Sequence, residues 1–461
     1  MVFHFTLLRL DTFYIKKSRR VELLFHHIGQ FEYSLTFAVR LNKSNLLYHI
    51  YLFTLKYYTM GIKGYSMHLI KTKTIILSSF LMFSGLHASK IAMPDILNPN
   101  ITDKTTTIHS TFKRTGPTVQ IGILLDTSGS MSGLINQAKD QLWKIVNEVA
   151  KANKHNEEVT IQVGLFEYGK QSIASYEGYL QMLSPLTSDL DTVSDELFKL
   201  RINGGEEYAG KVILEAVNRF AWSTHKDDMK LLIIAGNESF AQGVVPYVKA
   251  IEKAKNNGII VNTIFCGNDS EGRTLGWAKG AEIGEGKYFN INHNDRRVYV
   301  ATPYDDEIII LGKQLNSTYV NYGAKPKRLA KKANIVRQDS NSRISSKSSF
   351  IERNLVKAKK QYAQVDSDMV SAYMKDEKSL FSISPDELPD EYQDKSREEI
   401  TQSIKKKKVK RESLQKQIKV LEVKRDKHIA LHSKDTKDTL GSAIIKSIRK
   451  QAKENGFSFK K

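Results

Sequence analysis

A carboxylate and a run of hydroxyls crowd into one short stretch, ILLDTSGSMSG at residues 123–133. Asp126, Ser128 and Ser130 stand at alternate positions directly after an apolar run. Such oxygen donors suit a hard divalent cation: Mg²⁺ or Mn²⁺ with waters completing an octahedron, or Ca²⁺ with more oxygens at longer distance. The same stretch holds Gly129-Ser130-Met131-Ser132-Gly133, which fits the nucleophile pattern of a serine hydrolase. That chemistry needs the serine at a sharp strand-to-helix turn, with a base and an acid downstream. Ser132 instead falls in the first turn of a predicted helix, and His155, His225 and His293 sit in polar connections or a loop. A third reading is a plain helix N-cap, a role serine commonly fills.

The elements around this stretch alternate. VQIGILLD is an apolar run bounded by turn residues, hence a buried strand ending at Asp126. Leu134, Ala138, Leu142, Ile145, Val146 and Val149 follow at helical spacing. VTIQVGLFEYG, KLLIIAGNE, IIVNTIFCG and a short GKYFNIN read as further strands, separated by helices in TVSDELFKL, EYAGKVILEAVNRFAW, VPYVKAIEKAKNNG and around residues 274–281. Strands alternating with helices imply an α/β fold, a doubly wound and mostly parallel sheet flanked by helices. Ligands of such sheets bind at the carboxyl ends of the strands, where Asp126 falls. The single cysteine, Cys266, ends an apolar run and reads as a packed core thiol.

Strand, DTSGSM, helix and the alternation after them resemble a von Willebrand factor type A domain with its metal-ion-dependent adhesion site, over residues 117–320. The resemblance implies a metal held by Asp126, Ser128 and Ser130 of the first loop, helped by a Thr of the second and an Asp of the third. A partner's carboxylate then completes the shell. Here the second loop, NGGEEYAG, has Glu206 at the Thr position. The third, IIAGNESF, has Gly236 at the Asp position, with Asn237 and Glu238 beside it. The candidate ligands are therefore Asp126, Ser128, Ser130, Glu206, Asn237 and Glu238, a variant set. A second anionic ligand makes the metal less electrophilic toward a partner's carboxylate. The implied function is a non-enzymatic, divalent-metal-dependent protein-binding or adhesion module, or a scaffold. The alternatives are a structural envelope protein with a vestigial metal site and, less favoured, the serine hydrolase. The GGEEY and AGNE segments and the basic helical tail also resemble exported bacterial proteins that carry this domain.

Charge divides the 461 residues unevenly. Residues 1–88 carry a net +8, residues 89–320 a net −4 and residues 321–461 a net +16. The excess of base lies outside the α/β segment, which argues against specific nucleic-acid binding by that core. Residues 67–88 have a basic start, an apolar middle at 75–86 and a small exit residue, Ala88, the layout of a secretory signal peptide. Met67 then reads as the true start, with 1–66 a spurious or disordered extension, and the mature protein as secreted or periplasmic. Residues 89–116 read as a linker and 321–393 as a second, exposed one. Residues 394–461 read as a basic helical segment whose coiled-coil seam fails at Lys405–Lys408. Its lysines offer a contact for an anionic envelope polymer, without interleaved aromatics for stacking on bases.

Overall fold

A computed structural model describes residues 116–292, 299–432 and 440–459, with the backbone of three strands upstream. Those strands, Gln30–Arg40, Ile50–Ile62 and Tyr65–Lys71, form an antiparallel meander within a separate unit, residues 1–107. The apolar part of the expected leader, at 75–86, and the expected linker up to residue 115 lie outside the described residues.

The second unit, residues 108–461, is built on a six-stranded sheet. Its strands are β1 (Thr118–Asp126), β2 (Thr160–Tyr168), β3 (Gln181–Thr187), β4 (Met229–Gly236), β5 (Ile260–Cys266) and β6 (Glu285–Ile291). They lie in the order β6-β5-β4-β1-β2-β3, all neighbours parallel except β2 and β3. The central strands are continuous Val/Ile/Leu runs because both faces are covered, as expected of a parallel sheet. On one face, Val119, Ile121, Ile123 and Leu125 pack under α1 (Ser132–Val149) and α2 (Leu190–Lys199). On the other, Leu124, Phe166, Leu232 and Ile234 pack under α3 (Ala209–Arg219) and α4 (Tyr247–Asn256). Two short helices, α5 (Asp269–Thr274) and α6 (Trp277–Ile283), precede β6. Strand β3 escapes the periodicity: QMLSPLT contains Pro185, which an edge strand tolerates and a central one does not. Cys266 is buried, and burial pushes its thiol pKa well up, so it is a core residue.

Beyond β6 the chain stays on the domain. It forms α7 (Asp305–Asn316), α8 (Lys325–Ser345), α9 (Lys347–Lys357), α10 (Met369–Lys375), the 36-residue α11 (Arg397–His432) and α12 (Leu440–Glu454). The exposed linker expected at 321–393 is instead helical over α8 and α9, and Phe350, Ile351, Leu355 and Val356 are buried. Periodicity misses these helices because their contacts to α1 and α2 are largely ionic. Arg353, fully buried, holds Asp191 of α2 at 2.7 Å and Asp339 of α8 at 2.5 Å, and lies 4.5 Å from the ring centre of Trp143 in α1. A second buried cation, Arg425 of α11, bridges Asp305 at 3.1 Å and Glu352 at 3.0 Å, and Glu352 accepts from Asn147 of α1 at 2.9 Å.

The seam of α11 does not fail at the lysine run. Ile404, Arg411, Leu414, Ile418, Leu421 and Arg425 are all buried, with Lys407 half-buried between the first two. The Nζ of Lys407 donates to the carbonyl of Ser317 at 3.3 Å, placing a cation at the C-terminal end of α7, where the helix dipole favours it. The seam packs on helices of its own domain rather than on a coiled-coil partner, with Ile418 and Leu421 against Leu311 and Leu355.

The α/β layer is completed by α12. Ala443, Ile444, Ile448 and Ala452 join the core beneath α1, and Ser447 and Gln451 bond the amide of Asn262 in β5. The chain then pairs Ser458 and Phe459 antiparallel with Asn153 and Ala152, just past α1. The α/β domain therefore does not end near residue 320, because one of its helices comes from far downstream.

Candidate metal centre

Asp126 is the last residue of β1, wholly buried at the carboxyl edge beside the point where strand order reverses. Its Oδ1 accepts from the backbone N–H of Ser128 at 2.7 Å, which folds the first loop back over the strand end. The hydroxyls of Ser128 and Ser130 lie 3.5 Å apart. Met131 buries its side chain completely and caps α1, so Ser132 opens the helix with its side chain exposed. Beneath the loop, Thr127 donates to Glu167 at 3.3 Å, and Lys170 neutralises that buried carboxylate at 3.0 Å.

The second loop is clamped to the first. The N–H of Asn203 donates to the carbonyl of Thr127 at 2.9 Å, and that of Gln171 to Gly204 at 3.0 Å. The clamp decides which of two adjacent glutamates enters the site. Glu206 is exposed, whereas Glu207 is buried against Asp126 and Ser128. The position expected of Glu206 belongs to Glu207. A one-residue register shift in the irregular segment between α2 and α3 causes the difference. Spacing alone does not fix it, since no hydrophobic period crosses the loop.

From the third loop, Asn237 is half-buried and its Nδ2 donates to Ser130 Oγ at 3.3 Å. Glu238 is exposed at the rim. Its charge reaches both buried carboxyls, and its carbonyl accepts from Trp277 Nε1 at 2.8 Å. Two glycines make the close approach possible. Gly169 has φ +76°, and a Cβ there would lie 2.9 Å from Asp126 Oδ1 and from Glu207 Cγ. A Cβ on Gly236 would come within 3.1 Å of Asp126 Oδ2. Gly129 has no such duty, since nothing lies within 4 Å of a Cβ built on it.

Burial raises the Asp126 carboxyl to about 6. Burial, then the neighbouring charge of Asp126, raises that of Glu207 to about 9. Near neutrality the pair therefore keeps one proton. Apart from that shared proton, which links the two carboxyls, three buried oxygens here have no hydrogen-bond donor: Asp126 Oδ2, Glu207 Oε2 and Asn237 Oδ1. Buried acceptors are ordinarily satisfied, so this grouping of hard oxygens with two serine hydroxyls fits a divalent cation. Among the described residues no three His, Cys, Asp or Glu side chains gather at metal-holding distance, so hydroxyl and amide oxygens are needed to complete a shell.

The raised carboxyls have a stability consequence. Folded Glu207 holds a proton that the unfolded chain releases above its ordinary pKa of 4.5, so this group's contribution falls as pH rises from about 5 to 9. Glu207→Gln is expected to flatten that dependence and to stabilise the metal-free protein at pH 9 by on the order of 2 kcal/mol. Urea titrations at pH 5, 7 and 9 measure it, and parallel profiles for the two proteins would refute the assignment.

The hydrolase reading loses two of its three bases. His155 and His225 lie beside Asp227, at 3.6 and 3.7 Å, on segments that lead into β2 and β4. That is the opposite edge of the sheet from Ser132, roughly 30 Å away at ~3.3 Å per strand residue. His293 lies outside the described residues.

Residues 120–295 match the sequence model of the von Willebrand factor type A domain. Solved structures similar to this chain include BatB from Bacteroides thetaiotaomicron, 17% identical, covering 38% of this chain and 90% of that one at a TM-score of 0.29. An aerotolerance-related membrane protein from Bacteroides fragilis is also 17% identical, covering 38% and 93% at 0.27. Proximal thread matrix protein 1 from the mussel byssus, with a zinc-occupied metal-ion-dependent adhesion site, is 14% identical, covering 38% and 42% at 0.29. The comparison with curated proteins gave no match.

Proposed function

We propose that the von Willebrand factor type A domain of this chain is a non-catalytic binding module whose carboxyl-edge loops engage a protein partner around a bound divalent cation. The observation that carries this reading is the cluster of buried oxygens on Asp126, Glu207 and Asn237 that have no donor beyond the proton the two carboxyls share, bordered by the hydroxyls of Ser128 and Ser130. Domains of this family are generally interaction modules rather than enzymes, which supports the binding class. Asp126, Ser128 and Ser130 hold the ion from the first loop, Glu207 from the second and Asn237 from the third, with Glu238 at the rim. Mg²⁺ or Mn²⁺ suits so small a set better than Ca²⁺, which wants more oxygens. With two carboxylates already in the shell, the ion's charge is balanced internally. Its role is to hold three loops in one arrangement more than to attract an acidic side chain. The protein acts outside the cytoplasm, in a bacterial envelope or beyond it, a reading that rests on the leader-like segment at 67–88. Among the described residues no helix is long and apolar enough to cross a membrane.

Titration calorimetry of the full chain with Mg²⁺ and Mn²⁺ tests the site. Asp126→Ala is expected to abolish binding and Glu207→Gln to weaken it at least about tenfold, while Glu206→Gln leaves it unchanged. Binding at pH 7 should release close to one proton, the one held by Glu207, and affinity should rise with pH up to about 9. A heat independent of buffer ionisation would remove Glu207 from the shell. Loss of binding in Glu206→Gln alone would restore the residue that spacing favours. A chain that binds neither metal would be the structural protein with a vestigial site.

A further inference from the structure

We propose that the outward face of α11 docks on an anionic lipid bilayer. The helix runs 36 residues, about 54 Å at 1.5 Å per residue. Its inward seam holds Ile404, Leu414, Ile418 and Leu421 together with Arg411 and Arg425, each arginine in a buried ion pair. The opposite face is predominantly basic. Lys405, Lys406, Lys416, Lys419 and Lys427 are exposed there, and among the described residues no ion pair engages them. Glu412 is the one acid exposed on the helix between Lys405 and Lys427.

Apolar side chains run along the same line. At 100° per residue, Val409, Val420, Val423 and Leu431 fall within about 60° of the direction opposite the seam, interleaved with Lys405, Lys416 and Lys427. Val409 is 66% exposed and Leu431 82%. A water-facing helix has no use for such a ridge, and a soluble polyanion offers it nothing to bury. At a bilayer surface both kinds of residue are satisfied: valine and leucine enter the acyl boundary while lysine stems lie alongside and lift their ammonium groups to the phosphates. The exposed line of residues contains no Arg, Phe, Tyr or Trp, the anchors that dominate protein interfaces and nucleic-acid platforms. This inference does not depend on the metal site.

Co-sedimentation of the full chain with vesicles tests it. Binding is expected to phosphatidylcholine vesicles containing about a third phosphatidylglycerol, to be absent from pure phosphatidylcholine, and to fall steeply as salt rises. A lysine near an anionic surface contributes about 1 kcal/mol, roughly fivefold. Replacing Lys405, Lys416 and Lys427 by Gln should therefore weaken partitioning by about 100-fold. Replacing Val409, Val420 and Val423 by Ser should weaken it several-fold more than it weakens binding to heparin, a soluble polyanion without an apolar phase. Thermal melts check that these outward substitutions leave the fold intact, and the single Lys416→Glu serves if a triple variant does not fold. Equal partitioning onto neutral and anionic vesicles overturns the proposal. So does wild-type binding by the lysine variants, or a valine variant that binds vesicles as the wild type does.

Discussion

A chain ended at residue 320, where the alternation of strands and helices stops, is expected not to fold. That cut removes Ala443, Ile444, Ile448, Ala452 and Phe457, all buried in the core around α1, together with the bonds from Ser447 and Gln451 to Asn262. Even at the low end of ~1.5–3 kcal/mol for a large buried apolar side chain, the three largest and the two alanines contribute on the order of 6 kcal/mol. That is comparable to the ~5–15 kcal/mol by which whole domains are stable. Deleting residues 440–461 from the otherwise full chain should have the same effect, because the α1 side of the sheet is bared either way. Circular dichroism melting and limited proteolysis read the outcome. A soluble 116–320 fragment with a cooperative transition would show that α12 only decorates a self-sufficient sheet.

The second large effect is expected at Arg353. Its guanidinium is wholly buried between Asp191 and Asp339, over the ring of Trp143. Tyr362 donates to the other oxygen of Asp191 at 2.6 Å, and Lys357 holds Asp339 at 2.9 Å. Burial lowers the Lys357 ammonium to about 8, so it is a weaker guarantor of charge balance than the arginine. Arg353→Met removes the shared cation and leaves Asp191 buried with only a phenol for company. Breaking a buried pair in this one-sided way costs about 3–5 kcal/mol. The double variant Arg353→Met with Asp191→Asn should recover part of that loss, because no uncompensated charge is left beside Tyr362. Denaturant unfolding of the four proteins in the cycle decides it. A single-variant loss below about 1 kcal/mol would mean that water reaches Asp191 and the pair is not truly dry.

Much of the α/β domain was legible in the sequence because its strands are unbroken apolar runs and its helices carry single apolar stripes. Asp126 was legible because it follows such a run directly. The choice between Glu206 and Glu207 was not, since the two stand side by side in a loop held by backbone bonds from Asn203 and Gln171. Nor was the fate of residues 321–393. Hydropathy reads a lysine- and serine-rich stretch as solvated, yet Arg353, Lys357 and Arg328 are all buried there against carboxylates or carbonyls. A charge that will find an opposite charge 162 residues away, as Arg353 finds Asp191, leaves no local trace. The same blindness hid the seam of α11, where Arg411 fills the place an apolar residue would mark, paired with Asp368 at 2.6 Å.

The pairing of Ser458 with Asn153, 305 residues apart, also sets a clock on biosynthesis. At ~5–20 residues per second a ribosome needs about 15–60 s to travel from one to the other. The sheet itself is complete only once β6 has been made at residue 291, about halfway through, and from then on one flank of α1 waits for a helix not yet made. The apolar surface that Ala443, Ile444, Ile448 and Ala452 cover is thus bare until residues 440–459 have been made, and a prematurely terminated message leaves it bare for good.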